Sequence, residues 1–269
     1  MLSDSHRVTQ IDKLFDGDVS DEQFSNQLFI RLTAKGKRFT NVDFKYSVFD
    51  SCYLRNCVFD SCDFIGCRFV GTNLHGSAFS GCKFDYATFE KTGVDNDILS
   101  QGCPGHENLK MRFARTLRMN YQQLGDAKSV NKAIAVELLA TEAHLHKAWS
   151  STESYYRRKY RGYKRFQAFT EWMAFKILDF LWGNGESALK LLRAVIIALF
   201  LISMVDATVF RDRNLVESYT HALAEAPQIF LGTISSASYP RLCFTFIMLF
   251  RLVVFGFLTA IIVKRFNRR

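Results

Sequence analysis

The sequence predicts a multidomain chain: a β-solenoid, then an α-helical region, then an α-helical hairpin that crosses a membrane twice. Three observations carry this. Phe or Leu occupies every fifth position from 39 to 89: Phe39, Phe44, Phe49, Leu54, Phe59, Phe64, Phe69, Leu74, Phe79, Phe84 and Phe89. Neither the helical period of 3.6 nor the strand period of 2 keeps such residues on one face, whereas a solenoid that turns a corner every five residues does. Two apolar stretches, 189–210 and 242–263, lie in the last third. A band rich in Arg, Lys and aromatic residues, 151–187, precedes them.

The solenoid is expected over 37–91. Residues 1–36 read as a leader or cap, in which Phe24, Leu28, Phe29 and Leu32 make a short amphipathic helix over the open end of the solenoid. An open end exposes strand edges and core side chains, so a cap is expected on physical grounds. The first 16 residues are polar and carry no apolar stretch, so a cleaved signal peptide is not expected.

Five of the seven cysteines, Cys52, Cys57, Cys62, Cys67 and Cys82, stand two residues before a central Phe or Leu. The same slot elsewhere holds Val42, Ser47, Thr72, Ser77 and Ala87. It is a slot for small residues facing the interior, so these cysteines read as buried thiols in a reducing compartment rather than as disulfides or metal ligands. Cys103 and His106 are too sparse for a metal site and read as a turn. Cys243 faces lipid or another helix.

The segment VDFKYSVFDSCYLRNCVFDSCDFIGCRFVGTNLHGSAFSGCKFDYATF resembles the pentapeptide-repeat family: a small residue, a polar residue, Leu or Phe, then two variable positions. That resemblance implies a right-handed quadrilateral β-helix with one pentapeptide per side. Eleven repeats imply just under three coils, on the order of 15 Å tall at strand spacing.

Residues 92–150 read as a cytosolic helical region. Leu109, Phe113, Leu117 (or Thr116), Tyr121 and Leu124 make one stripe, and Val130, Ile134, Leu138 and Leu145 a second, broken at Gly125-Asp126. Residues 151–187 then combine Arg157, Arg158, Lys159, Arg161, Lys164 and Arg165 with aromatics that include Trp172 and Trp182. Next to an apolar segment, this band is expected to lie among anionic lipid headgroups rather than on nucleic acid.

The two apolar stretches are each long enough for about 30 Å of hydrocarbon if Lys190 and Arg193 snorkel. The flanks are basic, while the connection 211–241 carries three basic and three acidic residues. The excess of positive charge outside the connection places both termini in the cytoplasm. Within the connection, residues 218–230 read as a short helix disturbed by Pro227. The run Gly232, Thr233, Ile234, Ser235, Ser236, Ala237 and Ser238 is small and hydroxyl-rich.

This order of span, short helix, polar loop and span resembles the pore domain of two-transmembrane, potassium-channel-like proteins. FRLVVFGFLTAIIVKRFNRR, with Gly256 and a basic end, resembles their inner helix. Gly183-Asn184-Gly185-Glu186 and the stretch LKMRFARTLRMNYQQLGD resemble bacterial pentapeptide-repeat ion channels. The resemblance implies a homotetramer of the bacterial inner membrane, with 232–238 as its pore loop. The Thr-Val-Gly-Tyr-Gly filter of potassium channels is absent, so potassium selectivity is not implied.

Arg251 is the one charged residue of the second stretch. At mid-membrane it costs roughly 2.5–3.5 kcal/mol or more, which marks a functional position. Two readings stand open: it lines a vestibule and favours anions, or it pairs with Asp206 or Glu225.

The function expected is an oligomeric ion channel with a cytosolic β-helix as sensor or scaffold. The other reading is a membrane-anchored interaction scaffold that recruits a cytosolic protein partner without ion flux. DNA mimicry requires an acidic rod, whereas 37–91 holds seven basic and six acidic residues. No nucleophile, paired-carboxylate, phosphate-loop or metal-ligand pattern is present, so enzyme activity, cofactor and metal are not expected.

Overall fold

A computed structural model of the chain describes residues 7–211, 216–233 and 240–266, the last three by backbone alone. The chain divides into two compact units, 1–169 and 170–269.

The first unit opens with a parallel β-solenoid. Strands β1 (Val8–Ile11), β3 (Gln27–Ile30), β5 (Val48–Asp50), β7 (Arg68–Val70) and β9 (Thr88–Glu90) form one sheet; β2 (Val19–Ser20), β4 (Arg38–Thr40), β6 (Val58–Asp60) and β8 (Ala78–Ser80) form another. Phe49 faces Phe69 and Phe69 faces Phe89, so one coil takes 20 residues, four pentapeptides. Two ladders of isolated bridges, through Thr33, Tyr53 and Asn73 and through Asp43, Asp63 and Lys83, alternate with the sheets. Every fifth residue from Asn26 to Lys91 has a positive φ, which is the corner that makes a five-residue side.

The central aromatics lie inside. Phe44, Phe64 and Phe84 stack with centroids 5.2 and 5.0 Å apart, and Phe49, Phe69 and Phe89 with 4.9 and 5.0 Å. This spacing is that of neighbouring strands, so backbone ladder and ring stack share one repeat.

In the slot two residues earlier, the hydroxyl and thiol side chains act as donors. Ser47 Oγ donates to the Phe24 carbonyl at 2.7 Å, Thr72 Oγ1 to Phe49 at 3.1 Å and Ser77 Oγ to Leu54 at 2.7 Å. Cys67 Sγ does the same to Phe44 at 2.9 Å. The slot therefore takes mostly small side chains: where one carries a hydroxyl or thiol it donates to a carbonyl of the preceding coil, and Val42 and Ala87 fill it without a donor.

The leader expected over 1–36 is corrected. Residues 8–30 are solenoid strands, and no helix covers 24–32. The five-residue register runs back from Phe39 through Ala34, Phe29, Phe24, Val19 and Leu14, and forward to Val94. The solenoid thus makes about four coils instead of just under three. Ala34 hides the continuation, and Leu32 in the small slot compensates its lost volume; both are buried.

The far end of the solenoid is closed by helices. After α1 (Ile98–Gln101), α2 (Glu107–Leu124) lays Phe113 against Phe84 and Phe89 at 5.6 and 6.0 Å. Its polar residues satisfy the last coil. Thr116 Oγ1 accepts from Phe89 N at 3.1 Å, and Gln123 Oε1 from Lys91 N at 2.9 Å. Asn120 accepts from Thr92 N and donates to Thr92 O, both at 2.7 Å. Gly125, at φ +73, ends α2, and Asp126 accepts from Ser129 N to start α3 (Ala127–Ser150). Glu137 of α3 receives Arg115 and Arg118 of α2, each at 2.8 Å.

Two further helices follow, α4 (Ser154–Lys159) and α5 (Tyr163–Trp182), and the division between the units falls inside α5. The second unit continues with α6 (Ala188–Val205), a π turn (Asp206–Phe210), α7 (Val216–Leu231) and α8 (Arg241–Phe266). Leu191, Phe230, Val254 and Ile261 form its small core.

Candidate functional site

The apolar hairpin contains two helices long and apolar enough to cross a membrane, Ala188–Phe210 and Arg241–Val263. Only 17% and 11% of their most apolar windows are buried. A soluble core would hide such surface; here Leu192, Ile196, Phe200, Phe246, Leu249 and Leu252 are among the exposed side chains.

The charges that interrupt the first helix are individually satisfied. Lys190 Nζ lies 2.8 and 2.7 Å from the two Asp179 carboxylate oxygens. Arg193 sits over the Phe180 ring at 4.5 Å and donates to the Phe180 carbonyl. Ser187 Oγ caps the helix by accepting from Lys190 N at 3.2 Å.

At the other end of α6 the helix widens into the π turn, which sets Asp206 inward and 2% exposed. Arg211 Nε donates to Asp206 Oδ2 at 2.7 Å, and Arg211 Nη2 to Glu225 Oε2 at 2.5 Å. One guanidinium thereby ties the π turn to α7. This hub was not singled out from sequence. Its signal was an arginine five residues after an aspartate, at the edge of an apolar run.

Helix α7 carries Pro227 and ends at Gly232, φ +75. Gly232 N donates to Ile229 O at 3.1 Å and Thr233 N to Gln228 O at 3.0 Å, the paired bonds of a Schellman turn. Arg251 of α8 donates through Nη1 to the carbonyl of Leu231, the last residue of α7. A Cβ on Gly232 would stand 2.2 Å from that nitrogen. A cation at a helix C-terminus meets the negative end of the helix dipole, so the contact is electrostatically favourable.

The ion pair of Arg251 with Asp206 or Glu225 is corrected: Arg211 holds both carboxylates, and Arg251 reaches a backbone carbonyl instead. Gly256 lies within continuous α8 beside open space. Of the expected pore loop, Gly232 and Thr233 are placed as above. Ile234, Ser235, Ser236, Ala237 and Ser238 lie outside the described residues, as do Arg268 and Arg269.

The basic band is more structured than one helix on a headgroup layer. Tyr160-Arg161-Gly162 separates α4 from α5. Arg157 donates to the Ser150 carbonyl at 3.1 Å and to Ser151, Arg161 to Arg157 at 3.2 Å and Arg165 to Trp149 at 2.6 Å. Lys159 donates to the Tyr155 hydroxyl at 3.0 Å and lies over the Tyr155 and Tyr160 rings. Arg158 and Lys164 are exposed. Trp172 is half-buried, and Trp182 packs on Phe257 with centroids 3.6 Å apart. His144 of α3 contacts the Tyr156 and Tyr160 hydroxyls, each at 3.2 Å, and burial together with Lys159 lowers its pKa.

The cysteines of the described chain are all free thiols. Burial pushes the Cys52 thiol up to about 11 and that of Cys67 higher still. Such thiols stay protonated near neutrality, which makes them poor nucleophiles and poor metal ligands.

The profile of the family described as Pentapeptide repeats matches eight copies, over residues 38–76 and 62–92. This stretch of the chain is therefore made of pentapeptide repeats, folded as a β-solenoid. Similar solved structures include two trypsin-treated variants of QnrB1, described as a plasmid-mediated fluoroquinolone resistance protein. They are 18% and 21% identical, cover 34% and 33% of this chain and have TM-scores of 0.19 and 0.15. The match spans 64% and 54% of those chains. No curated protein matches the chain.

Proposed function

We propose that the chain is the subunit of an oligomeric membrane ion channel, with a cytosolic right-handed quadrilateral β-helix as its sensor or scaffold. The observation that carries this is the pair of membrane-length helices whose apolar surfaces stay largely exposed in one copy. Lipid on one side and further copies on another would cover that surface. Support also comes from the connection: a helix, α7, ends in a tight turn that hands the chain to the small, hydroxyl-rich run after Gly232. Resemblance to two-transmembrane channels suggests four copies and the bacterial inner membrane, and the basic flanks support both termini in the cytoplasm. The basic band 151–187 would meet anionic headgroups.

A second reading, an anchored scaffold without flux, is favoured by one feature: no glycine lies between Gly232 and Pro240 to let backbone carbonyls ring an ion. Mass determination in lipid nanodiscs tests the channel architecture; a tetramer is expected, and a monomer or dimer contradicts it. Exchanging residues 188–269 for an unrelated anchor separates the readings. Loss of the cellular phenotype supports the channel, and its full retention supports the scaffold.

A further inference from the structure

We infer that Arg251 is an anion-recognising residue and that the channel proposed above, on which this inference rests, passes small inorganic anions such as chloride in preference to cations. Four observations lead there.

Arg251 is the one charged residue within 242–263. It lies ten residues along α8 from Arg241, about 15 Å at the helical rise, and so near the middle of the hydrocarbon, beyond the reach of headgroup phosphates.

Its charge is not neutralised by a carboxylate among the described residues. Asp206 and Glu225 are both taken by Arg211.

Its position is built. The Leu231 carbonyl accepts from Nη1, and Gly232, with a left-handed φ of +75, leaves that nitrogen a place which a Cβ would make it give up by shifting. The other donors of the guanidinium have no partner among the described residues.

Finally, the sum of charges at this turn is positive. The carbonyl end of α7 contributes about half a negative charge and Arg251 a whole positive one. Repeated around an oligomer, that sum repels cations, and the remaining N–H donors suit an anion that has lost part of its water.

The test is the reversal potential of the full-length protein in planar bilayers under a potassium chloride gradient, for wild type, Arg251→Lys and Arg251→Gln. Oligomer size is checked for each. A wild-type potential on the chloride side is expected. Arg251→Lys should keep its sign, and Arg251→Gln should lower the chloride-to-potassium permeability ratio on the order of tenfold. Wild-type currents that select potassium overturn the inference and leave the channel reading standing. So does an unchanged ratio in a well-assembled Arg251→Gln variant. If that variant fails to assemble, a reversed sign in Arg251→Lys overturns it. Folded wild-type oligomers that carry no current remove the channel reading itself, and the inference with it.

Discussion

Phe64 is held between Phe44 and Phe84 and is 1% exposed, so its truncation leaves a hole that neighbouring rings cannot fill. Phe64→Ala is expected to cost about 3–5 kcal/mol of solenoid stability in a denaturant titration. Cys67→Ser keeps both size and donor, and serine already serves the same slot at Ser47 and Ser77, so a change of under about 1 kcal/mol is expected. A thiol reagent should leave Cys52 and Cys67 unmodified until the solenoid unfolds; rapid labelling of the native protein would contradict their burial. His144 gives a pH dependence. Its pKa is lowered on folding, so the unfolded chain binds more protons, and stability falls as pH drops through the ordinary histidine range near 6.5. The groups around it are Tyr156, Tyr160, Lys159 and Glu107. Thermal denaturation at pH 7.5 and 5.5 should show this loss, and His144→Asn should reduce it. At this scale, the sequence displayed the interior rings and the small slot because both repeat. It did not display Arg251's partner, because a backbone carbonyl leaves no mark in the sequence and two carboxylates nearby offered a plausible alternative.

Among the elements, the solenoid shows how a register can be lost to sight. Phe24, Leu28, Phe29 and Leu32 satisfy helical spacing, while only Phe24 and Phe29 fall on the five-residue repeat. Ala34 then breaks the row of large residues that distinguishes the two. Leu32 and Ala34 exchange roles, large in the small slot and small in the large one, and the coil closes with its volume conserved. The helical closure of the far end was legible as an amphipathic stripe. Its polar face was not, since Thr116, Asn120 and Gln123 read as ordinary solvent-facing residues until the strand edge is placed beneath them. Asn120→Ala should destabilise the first unit by about 1–3 kcal/mol, because the Thr92 N–H and C=O lose their partners in a buried setting. A loss under 0.5 kcal/mol, on the order of a surface substitution, would show that this end is not sealed by α2. In the hairpin, Gly232→Ala meets both a left-handed backbone and Arg251. It should cost roughly 1–2 kcal/mol from the backbone alone and loosen the end of α7.

For the whole molecule, two kinds of order sit in one chain. The first unit is filled by its own stacked rings and capped by helices at its far end; the second leaves apolar helices with little of their surface covered. A net charge of +9 has physical meaning only through its placement, and the solenoid takes little part in it. The excess lies in the basic band and at the chain's end. The membrane-length helices were legible from hydropathy. How copies would assemble in the proposed channel was not, because residues that would face one another across a symmetry axis have no separate signature in one sequence. The measurement that bears most directly on the central proposal is single-channel recording of the purified full-length protein in lipid bilayers. Discrete unitary currents that vanish when residues 188–269 are replaced by an unrelated anchor are predicted. Silence from verified, folded oligomers across neutral and anionic lipids would contradict the proposal and favour the anchored scaffold.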